Sequence, residues 1–182
     1  LDKFTSYRVA PALFFAALVT VTYLWLKELF GELAGIFSAT TILLMPNLFA
    51  FAHMAVTDLP LASLWFLTTY AFWKGIKNWL WSILLGVVWG LALATKFPAV
   101  LIPIPVVLWA QIFQRHRYSN NIFTMLFLAP IIMIAIQPYL WHKAGVRVLE
   151  FLYEGISRGY LPNTNFGVEF FGSTVYSSQL PW

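Results

Sequence analysis

Apolar residues along this chain gather into long blocks, and the polar and charged residues fall between the blocks. A hydrocarbon core about 30 Å thick needs about 20 helical residues, fewer where flanking groups snorkel. Six blocks meet that need, at 9–26, 33–52, 59–73, 79–95, 97–113 and 121–141. Residues 79–113 are nearly continuous in apolar character, and as one helix they would reach roughly 50 Å at 1.5 Å per residue, well beyond the core. The helix must break, and Lys96 followed by Pro98 is where a charge and a helix breaker coincide. The pattern predicts an all-α, polytopic bundle of about six transmembrane helices, with residues 1–142 as its membrane domain. Pro11, Pro46, Pro103, Pro105, Pro130 and Pro138 read as kinks, which membrane helices tolerate.

Composition agrees about the solvent. The 182 residues are 60% hydrophobic, 19% aromatic and 10% charged, with a mean hydropathy of +0.76, too apolar for a water-soluble domain. The net charge of +4 would suggest nucleic acid in a soluble protein. Here the cations sit at block ends, which is membrane topology, and no nucleic-acid partner is expected. There is no cysteine, which removes disulfides and thiolate metal sites. GIFSAT, the nearest approach to a phosphate loop, lacks the second Gly and the Lys. The chain starts at Leu1 and ends on QLPW, and it reads as a piece of something longer.

The lysines and arginines set an orientation. Lys27, then Lys74 and Lys77, then Arg115 and Arg117 share one set of junctions, which the positive-inside rule places in the cytoplasm. Trp73, Trp79, Trp81, Trp109 and Trp141, near block ends, fit an aromatic belt. Alternating crossings then put Arg8, His53, Asp58, Lys96 and everything after Trp141 on the outer face. Ionisable groups at membrane depth are expensive, about 2.5–3.5 kcal/mol each at the centre and less near the interface, so they are candidates for function. Each also has a plainer reading. Asp58, ahead of Leu59 and Pro60, suits a helix N-cap. Lys96 suits a snorkelling lysine, Arg8 a helix-start anchor, and His53 a satisfied polar residue in a tight turn. A lone histidine does not make a metal site.

After Trp141 the character changes. Val146, Leu149, Leu152, Tyr153 and Ile156 recur at helical spacing, with Arg147, Glu150, Glu154 and Arg158 on the other face. This predicts an extracytoplasmic amphipathic helix on the membrane surface within a second region, 143–182, supported by ion pairs Arg147 to Glu150 and Glu154 to Arg158. The remainder, from Tyr160 to Trp182, reads as an ordered aromatic loop, with Tyr153, Tyr160 and Tyr176 available to stack on sugars or simply to pack.

Short motifs in a fixed order carry a resemblance: RVAPAL from Arg8, FGELAG at 30–35, Pro46, TDLPL at 57–61, ATKFP at 94–98, QPYLW at 137–141, RVLE at 147–150, FG at 171–172 and PW at 181–182. Together they resemble the GT-C glycosyltransferases that use polyprenyl-phosphate sugars, the group of the protein O-mannosyltransferases and the lipid A aminoarabinose transferase. Gly145 departs from the Pro that many relatives carry. The family's first outer loop, with its catalytic acidic residues, has no counterpart here, so the catalytic acid or base is expected upstream of Leu1 and no catalytic residue is assigned.

The resemblance implies an integral-membrane transferase that moves a sugar from a polyprenyl-phosphate donor to a protein, lipid A or other glycan acceptor on the outer face. It implies a multi-pass protein of a bacterial or archaeal plasma membrane rather than the endoplasmic reticulum, in contact with membrane lipids. Leaving-group charge grows on the donor phosphate, so cations at the outer interface are needed. Lys96 is the first candidate and Arg8 the second. Asp58 would orient Lys96, and His53 would meet a sugar hydroxyl or join a metal completed elsewhere. No metal ligand set is assigned within the chain, and a divalent metal is the one cofactor left open. A polytopic transporter and a non-catalytic assembly subunit are the alternatives. A transporter would place charge near the midplane and often shows inverted repeats, and neither is evident here.

Overall fold

The computed structural model describes residues 3–113, 118–157, 167–170 and 173–176, with side chains from Arg8 onward in the first helix and none in the strands. Helix α1, Lys3–Phe30, stops at Gly31, whose φ of +94° suits a residue without a Cβ. Helix α2, Glu32–Leu44, places Glu32 in its first turn, at the positive end of the helix dipole. It ends where Met45 is extended, as the residue before a proline prefers to be. Pro46 then opens α3, Pro46–Ala52, and the axis bends by 66° between the two helices.

Helix α4, Asp58–Gly75, and helix α5, Trp79–Thr95, form a hairpin. The Asn78 side chain caps α5 by accepting the Leu80 N–H at 3.0 Å. Helix α5 ends at the position expected from Lys96 and Pro98. Lys96 is extended (φ −161°, ψ 144°) and a short 3₁₀ turn, Phe97–Leu101, follows. Then come α6, Pro103–Phe113, and α7, Ser119–Phe123, which widens into a π-helical turn, Thr124–Leu128, before α8, Ala129–Ile136. Pro130 has no N–H and its ring crowds the carbonyl four residues earlier, which accounts for the wider turn.

The described part of the chain is therefore predominantly helical, and two or three spans, rather than all six expected blocks, are long and apolar enough to cross a membrane. Arg8–Phe30 and Ser119–Ile136 are each long and apolar enough to span a membrane, and α2 with α3 makes a third span if the bent pair is counted as one. The block at 33–52 is thus not one straight helix, because Pro46 interrupts it. Helix α5, at 17 residues, reaches only about 25 Å. Helix α6 is shorter still, because Pro98 and Pro103 use up the start of its block. Helix α4 carries Asp58, Ser63, Thr68, Thr69 and Lys74 within its 18 residues. The block at 121–141 stops helically at Ile136 and closes with a 3₁₀ turn, Pro138–Leu140.

Contacts fix the directions. Ser63 Oγ donates to the Phe14 carbonyl (2.8 Å) and Lys74 Nζ to both Glu28 oxygens (2.8 and 2.9 Å), so α4 runs parallel to α1. Residues 119–137 run alongside α5 in the same direction. A Cβ on Gly86 would lie 2.9 Å from the Thr124 carbonyl oxygen, and one on Gly90 would lie 2.7 Å from that of Ala129. This small-xxx-small pair lets two backbones touch. Asn121, fully buried, joins three segments. Its Nδ2 donates to the Phe72 carbonyl at 2.8 Å, and its Oδ1 accepts from Ser82 Oγ at 2.6 Å. Around it Phe72, Leu85, Val106, Ala110 and Met125 form the main apolar core, and Leu18, Ala52 and Leu59 form a second near the other end of α4.

The chain divides into two units, Leu1–His142 and Lys143–Trp182. In the second, α9, Ala144–Ser157, presents Val146, Leu149, Tyr153 and Ile156 as exposed apolar residues. Arg147 donates to Glu150 at 3.0 Å. The stretch read as a loop contains a β-hairpin, β1 Gly167–Phe170 and β2 Ser173–Tyr176, antiparallel with Val168 opposite Val175. Arg115, Arg117, Arg158 and Tyr160, together with the FG and PW motifs, lie outside the described residues.

Candidate functional site

At one end of the bundle the chain brings together Asp58 and Lys96, 38 residues apart. Lys96 Nζ donates to Asp58 Oδ1 at 2.5 Å. Lys96 gets there because the helix has ended. Its N–H still bonds the Ala92 carbonyl (3.2 Å) while its extended backbone swings the side chain off the α5 axis. The break is held on two sides, by Trp89 Nε1 donating to the Ala99 carbonyl (2.9 Å) and by Gln137 Nε2 donating to that of Ala94 (2.9 Å). The ammonium is thus carried on a fixed backbone but stays accessible, with 43% of the Lys96 side chain and 57% of the Asp58 side chain exposed.

Asp58 is not the N-cap that the sequence suggests. Thr57 occupies that position, without a side-chain cap bond, and Asp58 is the first residue of α4. The expectation fails by one residue because the carboxylate is turned toward Lys96. The first turn still gains from a negative charge there.

His53 closes α3. Its Nδ1 donates to the Phe49 carbonyl (2.8 Å) and its ring leans on that of Phe49, centroids 4.7 Å apart. A carbonyl only accepts, so the proton sits on Nδ1, and in that tautomer Nε2 is an acceptor. Arg8 lies on α1 about 9 Å before Phe14 by helical rise, and Phe14 packs against Ser63 near the start of α4. Arg8 is therefore at the same end. Among the described residues no hydrogen bond or ion pair joins Arg8 or His53 to Asp58 or Lys96. The structure assembles two of the four candidates and leaves two as neighbours by topology. No group of three or more His, Cys, Asp or Glu among the described residues could hold a metal ion.

A second charged cluster, at the other end of α4, escapes sequence reasoning. Glu28 accepts from Lys74 and, at 3.0 Å, from the Tyr70 hydroxyl. The Lys74 ammonium lies 5.7, 5.9 and 5.5 Å from the ring centres of Tyr70, Trp73 and Trp81. The available signal was a glutamate inside the last turns of an otherwise apolar helix, which calls for a partner cation.

A comparison with protein families gives one finding of weight. Residues 2–142 match the model for dolichyl-phosphate-mannose-protein mannosyltransferase. Searches of curated proteins and of solved structures return no match. The match covers the unit that carries both lysine–carboxylate clusters and six of the nine motifs that suggested the resemblance. With the apolar spans of α1 and of residues 119–136, it establishes that this chain belongs to the dolichyl-phosphate-mannose-protein mannosyltransferase family, membrane glycosyltransferases of the GT-C superfamily.

Proposed function

We propose that the protein transfers a sugar from a polyprenyl-phosphate donor to a hydroxyl acceptor at the membrane face where Asp58 and Lys96 meet, and that this face is the outer one. Helices α4, α5 and α6 cross in this reading, their short apolar lengths completed by flanking polar groups that snorkel. The bond between the sugar C1 and the donor phosphate oxygen breaks, a bond from C1 to the acceptor oxygen forms, and the acceptor proton passes to a base. Polyprenyl phosphate leaves with an added negative charge. Lys96 is placed to neutralise that charge, where the transition state gains more than the ground state does.

One observation carries the assignment: a lysine at a fixed helix break, at the end of a membrane bundle, held among the described residues by an exposed carboxylate alone. Asp58 keeps the ammonium aimed while the site is empty and can yield it to a phosphate, which offers more charge and more acceptor oxygens. His53, with Nε2 as acceptor, would take a hydrogen bond from a sugar hydroxyl, and Arg8 would add a second cation. A divalent metal bound with residues beyond this site remains compatible with the reading. The acceptor would be a protein Ser/Thr, lipid A or another glycan. The family supports this reading over a transporter or an assembly subunit.

The test is sugar transfer from a polyprenyl-phosphate sugar by the full-length protein in membranes. Lys96→Ala is expected to lower transfer by about 10²-fold or more, with insertion unchanged and partial recovery in Lys96→Arg. Wild-type transfer by Lys96→Ala would refute the role.

A further inference from the structure

The end of the bundle opposite Asp58 and Lys96 carries a concavity of its own. A cavity of about 250 Å³ is lined by Glu28, Trp73, Lys74, Lys77, Asn78 and Trp81. It sits where α1 ends and where α4 turns into α5, the end that the lysine distribution assigns to the cytoplasm. Its charges do not balance, since Lys74 and Lys77 face the single carboxylate of Glu28. Lys74 is already neutralised by that carboxylate, at 2.8 and 2.9 Å. Lys77 is exposed, with its ammonium 6.0 Å from the Trp73 ring centre. Asn78 adds hydrogen-bond donors. Its Oδ1 is occupied by the Leu80 N–H, so the amide N–H groups are what it can offer a ligand.

The aromatic walls decide the sign of the ligand. Rings of Trp and Tyr around a cavity would suit a quaternary ammonium. Here the Lys74 ammonium already lies within 6 Å of the ring centres of Tyr70, Trp73 and Trp81. A second cation would meet Lys74 and Lys77 as well. An anion meets Lys74, paired with Glu28, and Lys77, whose ammonium makes no hydrogen bond or ion pair among the described residues, together with the Asn78 amide and two tryptophans. Trp79 and Leu80, both largely exposed, stand on the adjoining turn as apolar surface.

We propose that this cavity is a binding site for the phosphate of an anionic phospholipid, with Lys77 as its principal cation and Asn78 as a donor. The lipid, rather than a free phosphate, is indicated by the tryptophans and exposed apolar residues beside the cavity, which suit the headgroup level and the acyl chains below it. The site is separate from the proposed donor phosphate site by the length of α4. From Asp58 to Lys74 the rise is about 24 Å. It does not depend on the role of Lys96.

The experiment is native mass spectrometry of the full chain, delipidated in detergent and titrated with phosphatidylglycerol or phosphatidylcholine. The expected result is a one-to-one phosphatidylglycerol adduct favoured about fivefold over phosphatidylcholine, the effect of about one lysine near an anionic headgroup. Lys77→Gln should bring the two lipids to near parity, and Lys27→Gln, a cation at the same end but outside the cavity, should leave the preference intact. Lys77 is exposed on a turn, so its replacement is compatible with folding. Four results would overturn the proposal: no preference in the wild type, preference retained in Lys77→Gln, equal loss in Lys27→Gln, or displacement of the lipid by millimolar glycerol phosphate. The last would assign the site to a soluble phosphate.

Discussion

The two ends of α4 hold the same chemical pair, a lysine and a carboxylate, in different surroundings. At the Lys74 end the side chains of the pair are 27% and 35% exposed, the carboxylate takes a further bond from Tyr70, and aromatic rings surround the ammonium. At the Lys96 end they are 43% and 57% exposed, and each charge has only the other among the described residues. The first arrangement ties α1 to α4 and resists rearrangement. The second holds a cation that a stronger anion can take. Coulomb attraction at contact distance is similar in both, so it is the surroundings that separate a clamp from a site.

That difference can be attacked directly. The largest effect on stability is expected from Asn121→Leu, near the Lys74 end. It takes the side-chain donor from the buried Phe72 carbonyl and leaves the Ser82 hydroxyl only the longer bond to the Gly75 carbonyl (3.1 Å), for a loss of about 1–3 kcal/mol, visible as earlier unfolding in detergent. Next are the two carboxylates taken as a pair. Glu28→Gln should lower stability by about 1 kcal/mol, near the upper end for partly exposed pairs, and Asp58→Asn by less than about 0.5 kcal/mol. Equal losses in the two variants would erase the distinction between the ends. In transfer assays the order should reverse, with Asp58→Asn the more impaired.

Parts of this were legible in the sequence. Lys96 and Pro98 announced the end of α5 because a charge and a missing backbone donor act locally, and a local rule suffices to read them. Topology alone put Asp58 and Lys96 on one face. With the resemblance, that placement led to the expectation that Asp58 would pair with or orient Lys96; the geometry of the contact was not readable, since it depends on Asp58 being one residue inside α4 and on Lys96 adopting an extended backbone. The break at Pro46 could be read as a kink, but its size could not, because 66° reflects how α2 and α3 pack as well as the missing N–H. Glu28 and Lys74, 46 residues apart, and Asn121, at the first position of an apolar block, take their meaning from partners that no periodicity reveals. The hairpin at 167–176 was hidden by short strands in a stretch rich in turn residues.

The central claim is that Lys96, and not Lys74, meets the donor phosphate. Equilibrium binding of a polyprenyl-phosphate sugar to the full-length protein tests it. The account predicts that Lys96→Ala weakens binding by about tenfold or more, the loss of one charge-assisted contact, with unfolding unchanged. It predicts that Lys74→Ala lowers stability and leaves the donor affinity of the folded protein near wild type. Unaltered donor affinity in Lys96→Ala, or an equal loss in Lys74→Ala, would contradict it.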